Sequence, residues 1–370
     1  MKVLLILFFS ALSLLLYAQT TIDLANAIRR EPKVIMLSEI ASDIRYIPLE
    51  TGNNFLISDE HFISLMNNEI IVAEHRQRAF FRFNENGKFL NQIGRRGQGP
   101  EEYNVGLFFM IDPLNNDIYV QDFGHLIRYD KQGRFISRIP TPNLNMGASA
   151  MLNNEFIVYS NNLYFENRNN PVQLYVIDKN GRVRNTWQGS IERGRRHGII
   201  LSSRDFFYTF NGNTFFKPAL RDVVYKIETP RRRTVAWRFD KGNRGINVSA
   251  NETNPNNRGR FISILQIKET ERFLFVLYSL ERNLYFGMYD KQSGQFNNVI
   301  IKDDLAGGFN FIHAGQSADN QLMNVRLPHR MLEMQRFERA LLPHRRKELD
   351  DLLKNMTEDD NPIVIKVTLK

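Results

Sequence analysis

One phrase recurs along the chain: an aromatic or β-branched strand, a tight turn of the form Asp/Asn-x-x-Gly, and a second strand opening on a hydrophobe. It reads Phe81-Arg82-Phe83-Asn84-Glu85-Asn86-Gly87-Lys88-Phe89-Leu90, then Ile127-Arg128-Tyr129-Asp130-Lys131-Gln132-Gly133-Arg134-Phe135-Ile136, then Tyr175-Val176-Ile177-Asp178-Lys179-Asn180-Gly181-Arg182-Val183. A fourth copy, Gly287-Met288-Tyr289-Asp290-Lys291-Gln292-Ser293-Gly294-Gln295-Phe296, carries one extra turn residue. The turn has a physical logic: Asp or Asn folds its side chain onto amides just ahead, and Gly accepts a positive φ that a Cβ resists. Those aspartates are therefore read as turn builders, and no metal site is assigned to them. Hairpins repeating at this interval predict a β-propeller, because a small sheet buries both faces only by stacking between neighbours.

Spacing gives the blade count. Gly87 to Gly133 is 46 residues, Gly133 to Gly181 is 48, and Gly181 to Gly294 is 113, about twice the unit. A fifth hairpin hides in the long gap, with Val223-Val224-Tyr225-Lys226-Ile227-Glu228 leading through Thr229-Pro230-Arg231-Arg232-Arg233 into Thr234-Val235-Ala236-Trp237-Arg238-Phe239. The sixth blade would use both chain ends, Ile44-Arg45-Tyr46-Ile47-Pro48-Leu49 and Pro362-Ile363-Val364-Ile365-Lys366-Val367-Thr368, whose pairing closes the ring and removes open edges. The expected fold is all-β, a six-bladed β-propeller of four-stranded antiparallel blades, in one domain over 44–370. Between Pro328 and Met356 the apolar period turns helical, predicting two amphipathic helices, 329–342 and 345–354, with Pro343 as the break. This helical insertion, about 329–356, precedes the closing strand.

The first eighteen residues read as a signal peptide: Lys2, a 14-residue apolar run from Val3 to Leu16, and Tyr17-Ala18 before Gln19. The run is too short for an ordinary membrane span. Residues 19–43 form a lead-in without assigned structure. There is no cysteine, so no lipid-bearing residue, disulfide or thiolate metal site is expected, and the product is expected to be periplasmic or secreted. With 28 Phe and 13 Tyr, the chain suits pleated surfaces packed face to face. Net charge is +9, or +8 once Lys2 leaves, with basic clusters at Arg193-Gly194-Arg195-Arg196-His197, Arg231-Arg232-Arg233 and from Arg326 to Arg346. These read as solvated loops and blade edges or as contacts for acidic polysaccharide, and an exported protein argues against nucleic acid as a partner.

The stretch richest in candidate function is Ile93-Gly94-Arg95-Arg96-Gly97-Gln98-Gly99-Pro100-Glu101-Glu102-Tyr103. Three glycines and two arginines could form an anion-binding loop of backbone amides, although the order matches neither the P-loop nor the dinucleotide fingerprint. The competing reading is a crossover between blades. The candidate ligand-binding residues are Arg95, Arg96, Gln98, Glu101 and Tyr103.

Together with Tyr46-Ile47-Pro48-Leu49-Glu50-Thr51 and Asn361-Pro362, this stretch resembles the exported six-bladed β-propeller proteins of Bacteroidetes, which are related in pattern to NHL-repeat propellers. The resemblance spans the mature chain and implies architecture and compartment more than chemistry. Members are often lipoproteins, a feature this cysteine-free chain lacks.

No GxSxG elbow or HExxH helix is present, and the seven histidines do not fall in register with the repeat; His75 and His125 come nearest. Asp112 and Asp122 stand near strand ends, where they could line a channel mouth or cap turns. The sequence names no catalytic residue and implies no cofactor or metal. The expected function is a monomeric binding module for a glycan, peptide or envelope protein; the alternative is a propeller enzyme, of hydrolase or lyase type, acting at the channel mouth.

Overall fold

The structure, a computed structural model, describes residues 20–370 apart from 67, 107, 143–146, 161–171, 190–204, 220 and 246–259. The signal peptide read over 1–18 and the basic cluster at 193–197 lie outside the described residues.

The lead-in is not a passive tail. It forms strand β1 (Thr21–Asp23), helix α1 (Leu24–Ala27), strand β2 (Lys33–Met36) and helix α2 (Leu37–Ile40) before entering strand β3 (Ala41–Pro48). Blade 1 follows as β4 (His61–Met66), β5 (Glu69–Glu74), β6 (Ala79–Asn84) and β7 (Phe89–Gln92). Blade 2 is β8 (Phe109–Ile111), β9 (Ile118–Asp122), β10 (His125–Tyr129) and β11 (Phe135–Pro140); blade 3 is β12 (Ser149–Leu152), β13 (Phe156–Ser160), β14 (Val172–Asp178) and β15 (Val183–Gln188). Blade 4 is β16 (Phe206–Phe210), β17 (Asn213–Lys217), β18 (Val223–Thr229) and β19 (Arg232–Asp240); blade 5 is β20 (Ser263–Glu269), β21 (Phe273–Leu280), β22 (Asn283–Asp290) and β23 (Gln295–Lys302). Each blade is an antiparallel meander.

Blade 6 joins the ends as expected. Strand β26 (Ile363–Leu369) lies between β25 (Gln321–Arg326) and β3, with Val364 opposite Ile47 and Val367 opposite Ile44. Its inner edge is irregular: a short β24 (Gln316–Ser317) pairs in parallel with β4 of blade 1. The ring is thus closed by hydrogen bonds at both its inner and outer strands.

The period-2 pattern explains the core. Ile70 and Val72 of β5 face the blade 6 side with Ile47 and Val364, while Ile71 and Ala73 face the blade 2 side with Phe109 and Val120. The same alternation in every blade sorts the buried side chains into six clusters, one at each blade junction. Each fully buried Phe, Leu or Ile contributes roughly 1.5–3 kcal/mol, so the ring rests on its junctions.

The recurring turns form as their sequence implies. Asp130 Oδ1 accepts from the Gln132 and Arg134 amides, each at 2.9 Å, and Asp178 Oδ1 accepts from Asn180 and Arg182 at 2.9 and 3.0 Å. The glycines have a second task that the sequence did not announce. A Cβ on Gly87, Gly133 or Gly181 would lie 2.0, 2.2 or 2.5 Å from a carbonyl oxygen of Pro48, Gln92 or Pro140 respectively. Those three are the last residues of the preceding blades' outer strands, so each turn glycine is the seat into which the neighbouring blade docks.

The helical insertion departs from expectation. Helix α3 covers only Pro328–Glu333, the segment 334–342 is not helical, and α4 runs Pro343–Asn355 with Pro343 in its first turn. The backbone amides of Phe337, Leu341 and Leu342 donate to Gly308, Asp304 and Leu305 instead of completing a helix. Proline at the first helical position costs nothing, because its missing N–H would have no intrahelical partner.

Candidate functional site

The stretch 93–106 leaves the outer strand of blade 1 and crosses to the inner strand of blade 2. Its glycines hold an anion, but one that the chain itself supplies. Glu102 turns its carboxylate onto the loop, accepting from the Gly99 amide at 2.9 Å and pairing with Arg95 at 2.6 Å. A Cβ at Gly97 would fall 1.8 Å from the same carboxylate. The Gly99 amide and the Arg95 guanidinium hold the Glu102 carboxyl below its ordinary range.

Blade 2 grips this loop from beneath. Arg138 donates to the Pro100 and Glu102 carbonyls at 3.3 and 2.7 Å, Tyr129 Oη donates to the Glu101 carbonyl at 2.7 Å, and the Gly94 amide donates to Gly133. Asp122, read as a strand-end residue, accepts from the Asn104 and Val105 amides at 3.1 and 3.0 Å. Tyr103 is fully buried, edge-on to Phe80 and Tyr129, and burial pushes its hydroxyl up to about 12. It anchors the loop and offers no surface to a partner. Arg96, Gln98 and Glu101 are exposed, and none of their side chains has a hydrogen bond or ion pair among the described residues. The structure therefore brings the five candidates together in one knuckle, with Arg95 as brace, Tyr103 as root and three side chains open to solvent.

Most of the other polar residues singled out by the sequence are occupied. Asp112 is fully buried, bonded by the Leu114 amide and by Lys179 at 2.6 Å, a lysine from the turn of blade 3. His125 Nδ1 lies 3.0 Å from the Phe123 carbonyl, and His75 meets Phe108 edge-on. Arg232 pairs with Glu228, Arg233 stacks over Tyr225 and Trp187, and Arg336, Arg345 and Arg346 all reach carboxylates. Among the described residues no three His, Asp or Glu side chains converge as metal ligands.

Several ionisable groups escaped the sequence reading. Lys217, at the end of β17, is fully buried and donates to the Pro218 and Arg221 carbonyls, both at 2.6 Å; burial and the nearby Lys241 charge bring it down to about 7. Asp205 beside it is pushed up to about 6 by burial while accepting from the Ala219 amide. Between blades 4 and 5, Glu269 accepts from Tyr208 Oη at 2.9 Å, Trp237 Nε1 at 3.2 Å and Lys291 Nζ at 2.9 Å. At the blade 5–6 crossing, Asp303 takes the Leu305, Ala306 and Gly308 amides plus Tyr46 Oη, and Asp304 takes the Ser38 amide and hydroxyl. One signal was present: a lysine follows the turn aspartate at 131, 179 and 291, and two of those three reach a buried carboxylate.

A closed ring of six blades, sealed by its two ends and dressed by a knuckle-like crossover, defines a six-bladed β-propeller. The chain belongs to the family described as a domain of unknown function, DUF4934, whose model matches residues 19–368. A candidate exported protein of Bacteroides fragilis has a similar structure, with a TM-score of 0.72 at 19% identity over 95% of this chain and 99% of that one. A DUF4221 member from Bacteroides vulgatus gives 0.48 at 11% identity over 89% and 97%, and a protein of unknown function from Bacteroides thetaiotaomicron 0.44 at 9% over 89% and 76%. At these identities the likeness concerns the fold alone. The resemblance to exported Bacteroidetes propellers read in the sequence holds. No curated protein matches the sequence. Among the described residues no helix is long and apolar enough to cross a membrane.

Proposed function

We propose that the protein is exported to the periplasm or beyond and acts as a rigid binding module, presenting the 94–103 knuckle to a glycan, peptide or envelope protein. The observation that carries this reading is the contrast within the knuckle. Its backbone is fixed by Glu102, Arg138, Tyr129 and Tyr103, while Arg96, Gln98 and Glu101 project outward without partners among the described residues. Polar groups held in place before a partner arrives lose little entropy on binding, and binding residues collect on loops that a stiff scaffold positions.

The same geometry separates two arginines that the sequence could not tell apart. Arg95, itself exposed, braces the loop through its ion pair with Glu102, so Arg95→Ala is expected to lower the melting temperature only slightly. Arg96 is free to contact a partner. An array of acidic and neutral glycans, envelope-derived peptides and purified envelope proteins, offered to the wild type and to an Arg96→Ala/Gln98→Ala/Glu101→Ala variant, tests the reading. Retention on at least one probe is expected, falling about tenfold or more in the variant at an unchanged melting temperature. Equal retention by both proteins would defeat it.

A further inference from the structure

The lead-in creates a recess that no repeat accounts for. At three junctions the outer strand of one blade seats its final carbonyl on the turn glycine of the next. At Gly294 of blade 5 that seat is vacant: a Cβ there would meet only the Tyr289 hydroxyl, at 3.9 Å. The end of β19 is taken instead by β1, with Ile22 opposite Phe239 and Asp23 opposite Asp240. Gly242, just beyond β19, then packs on Ala25 of α1, and Asn298 of blade 5 donates to the Ala27 carbonyl at 3.1 Å. Helix α1 thus wedges the two blades apart at the rim, leaving a half-open recess of about 250 Å³ between the wedge and the β22–β23 hairpin.

Its lining has a definite chemistry. Arg30 supplies a guanidinium, Gln295 and Asn297 supply amides, and Tyr289 and Phe296, a directly opposed cross-strand pair, supply ring surface. Among the described residues the Arg30, Gln295 and Asn297 side chains and the Tyr289 hydroxyl have no hydrogen bond or ion pair. Asp23, on the same wall, turns its carboxylate onto the Asn26 amide at 2.9 Å and the Asn26 side chain at 2.5 Å; it keeps its charge but forms no ion pair with Arg30, whose guanidinium donors stay open among the described residues.

We infer that this recess is a binding subsite for a single acidic sugar ring, a hexuronate, as found within an anionic polysaccharide. The volume falls just below the roughly 300–1,000 Å³ of ordinary small-molecule sites, which suits one ring and excludes a longer segment. A guanidinium matches a carboxylate through paired N–H donors. Amide side chains donate to and accept from ring hydroxyls, and aromatic faces cover the apolar C–H side of a sugar. The net charge, +8 without residues 1–18, draws anions to the surface as a whole.

This site lies apart from the 94–103 knuckle, and its test is independent of that reading. Titration of the chain lacking residues 1–18 with D-galacturonate and D-glucuronate, followed by saturation-transfer NMR and calorimetry, is expected to show millimolar binding that weakens as salt is raised. Arg30→Gln is expected to weaken uronate binding about tenfold, Gln295→Ala to weaken it by a smaller factor, and the Arg96→Ala/Gln98→Ala/Glu101→Ala variant to leave it unchanged. Both recess positions are exposed, so folding should survive, and matching melting curves would check it. Absence of uronate binding, indifference to Arg30→Gln, or equal binding of neutral D-galactose would overturn the inference.

Discussion

The junction of blades 1 and 2 and the junction of blades 4 and 5 solve the same packing problem in opposite ways. At the first, the carbonyl of Gln92 sits on Gly133 and the Gly94 amide donates to the Gly133 carbonyl, so backbone meets backbone with no room for a side chain. At the second, α1 is interposed, the glycine seat is open, and the blades are tied by a buried carboxylate, Glu269, shared between Tyr208, Trp237 and Lys291. The seated carbonyl repeats at two further junctions, at Gly87 and Gly181, and the amide bond at one of them, Glu50 to Gly87. Of the four recurring hairpin glycines, 87, 133, 181 and 294, only Gly294 lacks the seated carbonyl, and its junction has a lined recess at the rim. Repetition encodes architecture, and the places where the repeat is interrupted have room for something else.

That contrast can be broken first at its polar end. Glu269→Ala removes the one acceptor common to three side chains and leaves the Lys291 ammonium without its ion-pair partner, hydrogen-bonded only to the Thr270 carbonyl at 2.7 Å. The expected loss is about 3 kcal/mol, at the lower end for a severed buried pair because Lys291 keeps some contact with water. Urea unfolding would read it, and a loss under about 1 kcal/mol would place the stability of that junction in its apolar cluster and the α1 wedge.

Junctions tied by ionisable groups should also respond to pH. His313, on the inner edge of blade 6, accepts the Met323 amide at 3.0 Å and faces Gln266 of blade 5. Burial, helped by the Lys268 charge, pulls it down to about 3. A base whose folded pKa is depressed binds its proton more readily when unfolded, so its contribution is complete above about 6.5 and is lost as pH falls toward 3. Melting between pH 7 and pH 5 should therefore show the His313 share of stability falling by up to about 1.4 kcal/mol per unit below pH 6.5, opposed below pH 6 by Asp205, whose raised carboxyl favours the folded state as it takes up its proton. His313→Asn, which keeps an acceptor for the Met323 amide, should show a shallower slope, and identical slopes would remove His313 from the account.

The ring was legible because its determinants are local. Asp130 and Gly133 fix a turn through their own backbone, and Ile70 to Ala73 fix two faces by alternation, so blade number and closure follow from counting. The 94–103 loop was legible as unusual but not as self-occupied, because nothing in the order of residues says that Glu102 fills the glycine cradle. Tyr103 looked available for the same reason: its burial depends on Phe80 and Tyr129, which reach it only through folding. The first insertion helix was overextended because donors at 337, 341 and 342 are claimed by the 304–308 segment. The wedge and its recess were invisible, since residues 20–36 carry only two short strands and a one-turn helix whose register is set by blades more than two hundred residues away.

The comparison of junctions rests on the turn glycines themselves, and a pair of urea-unfolding curves tests it most directly. Gly133 and Gly294 both have left-handed backbones, with φ of 81° and 70°, so replacement by Ala carries a similar conformational cost of about 1–2 kcal/mol at either position. Only Gly133 also has a carbonyl seated where the Cβ would go. Gly133→Ala is expected to lose about 1–3 kcal/mol more than Gly294→Ala, the cost of forcing a methyl into a filled joint. Equal losses would contradict the claim that the repeating glycine is the seat on which one blade holds the next.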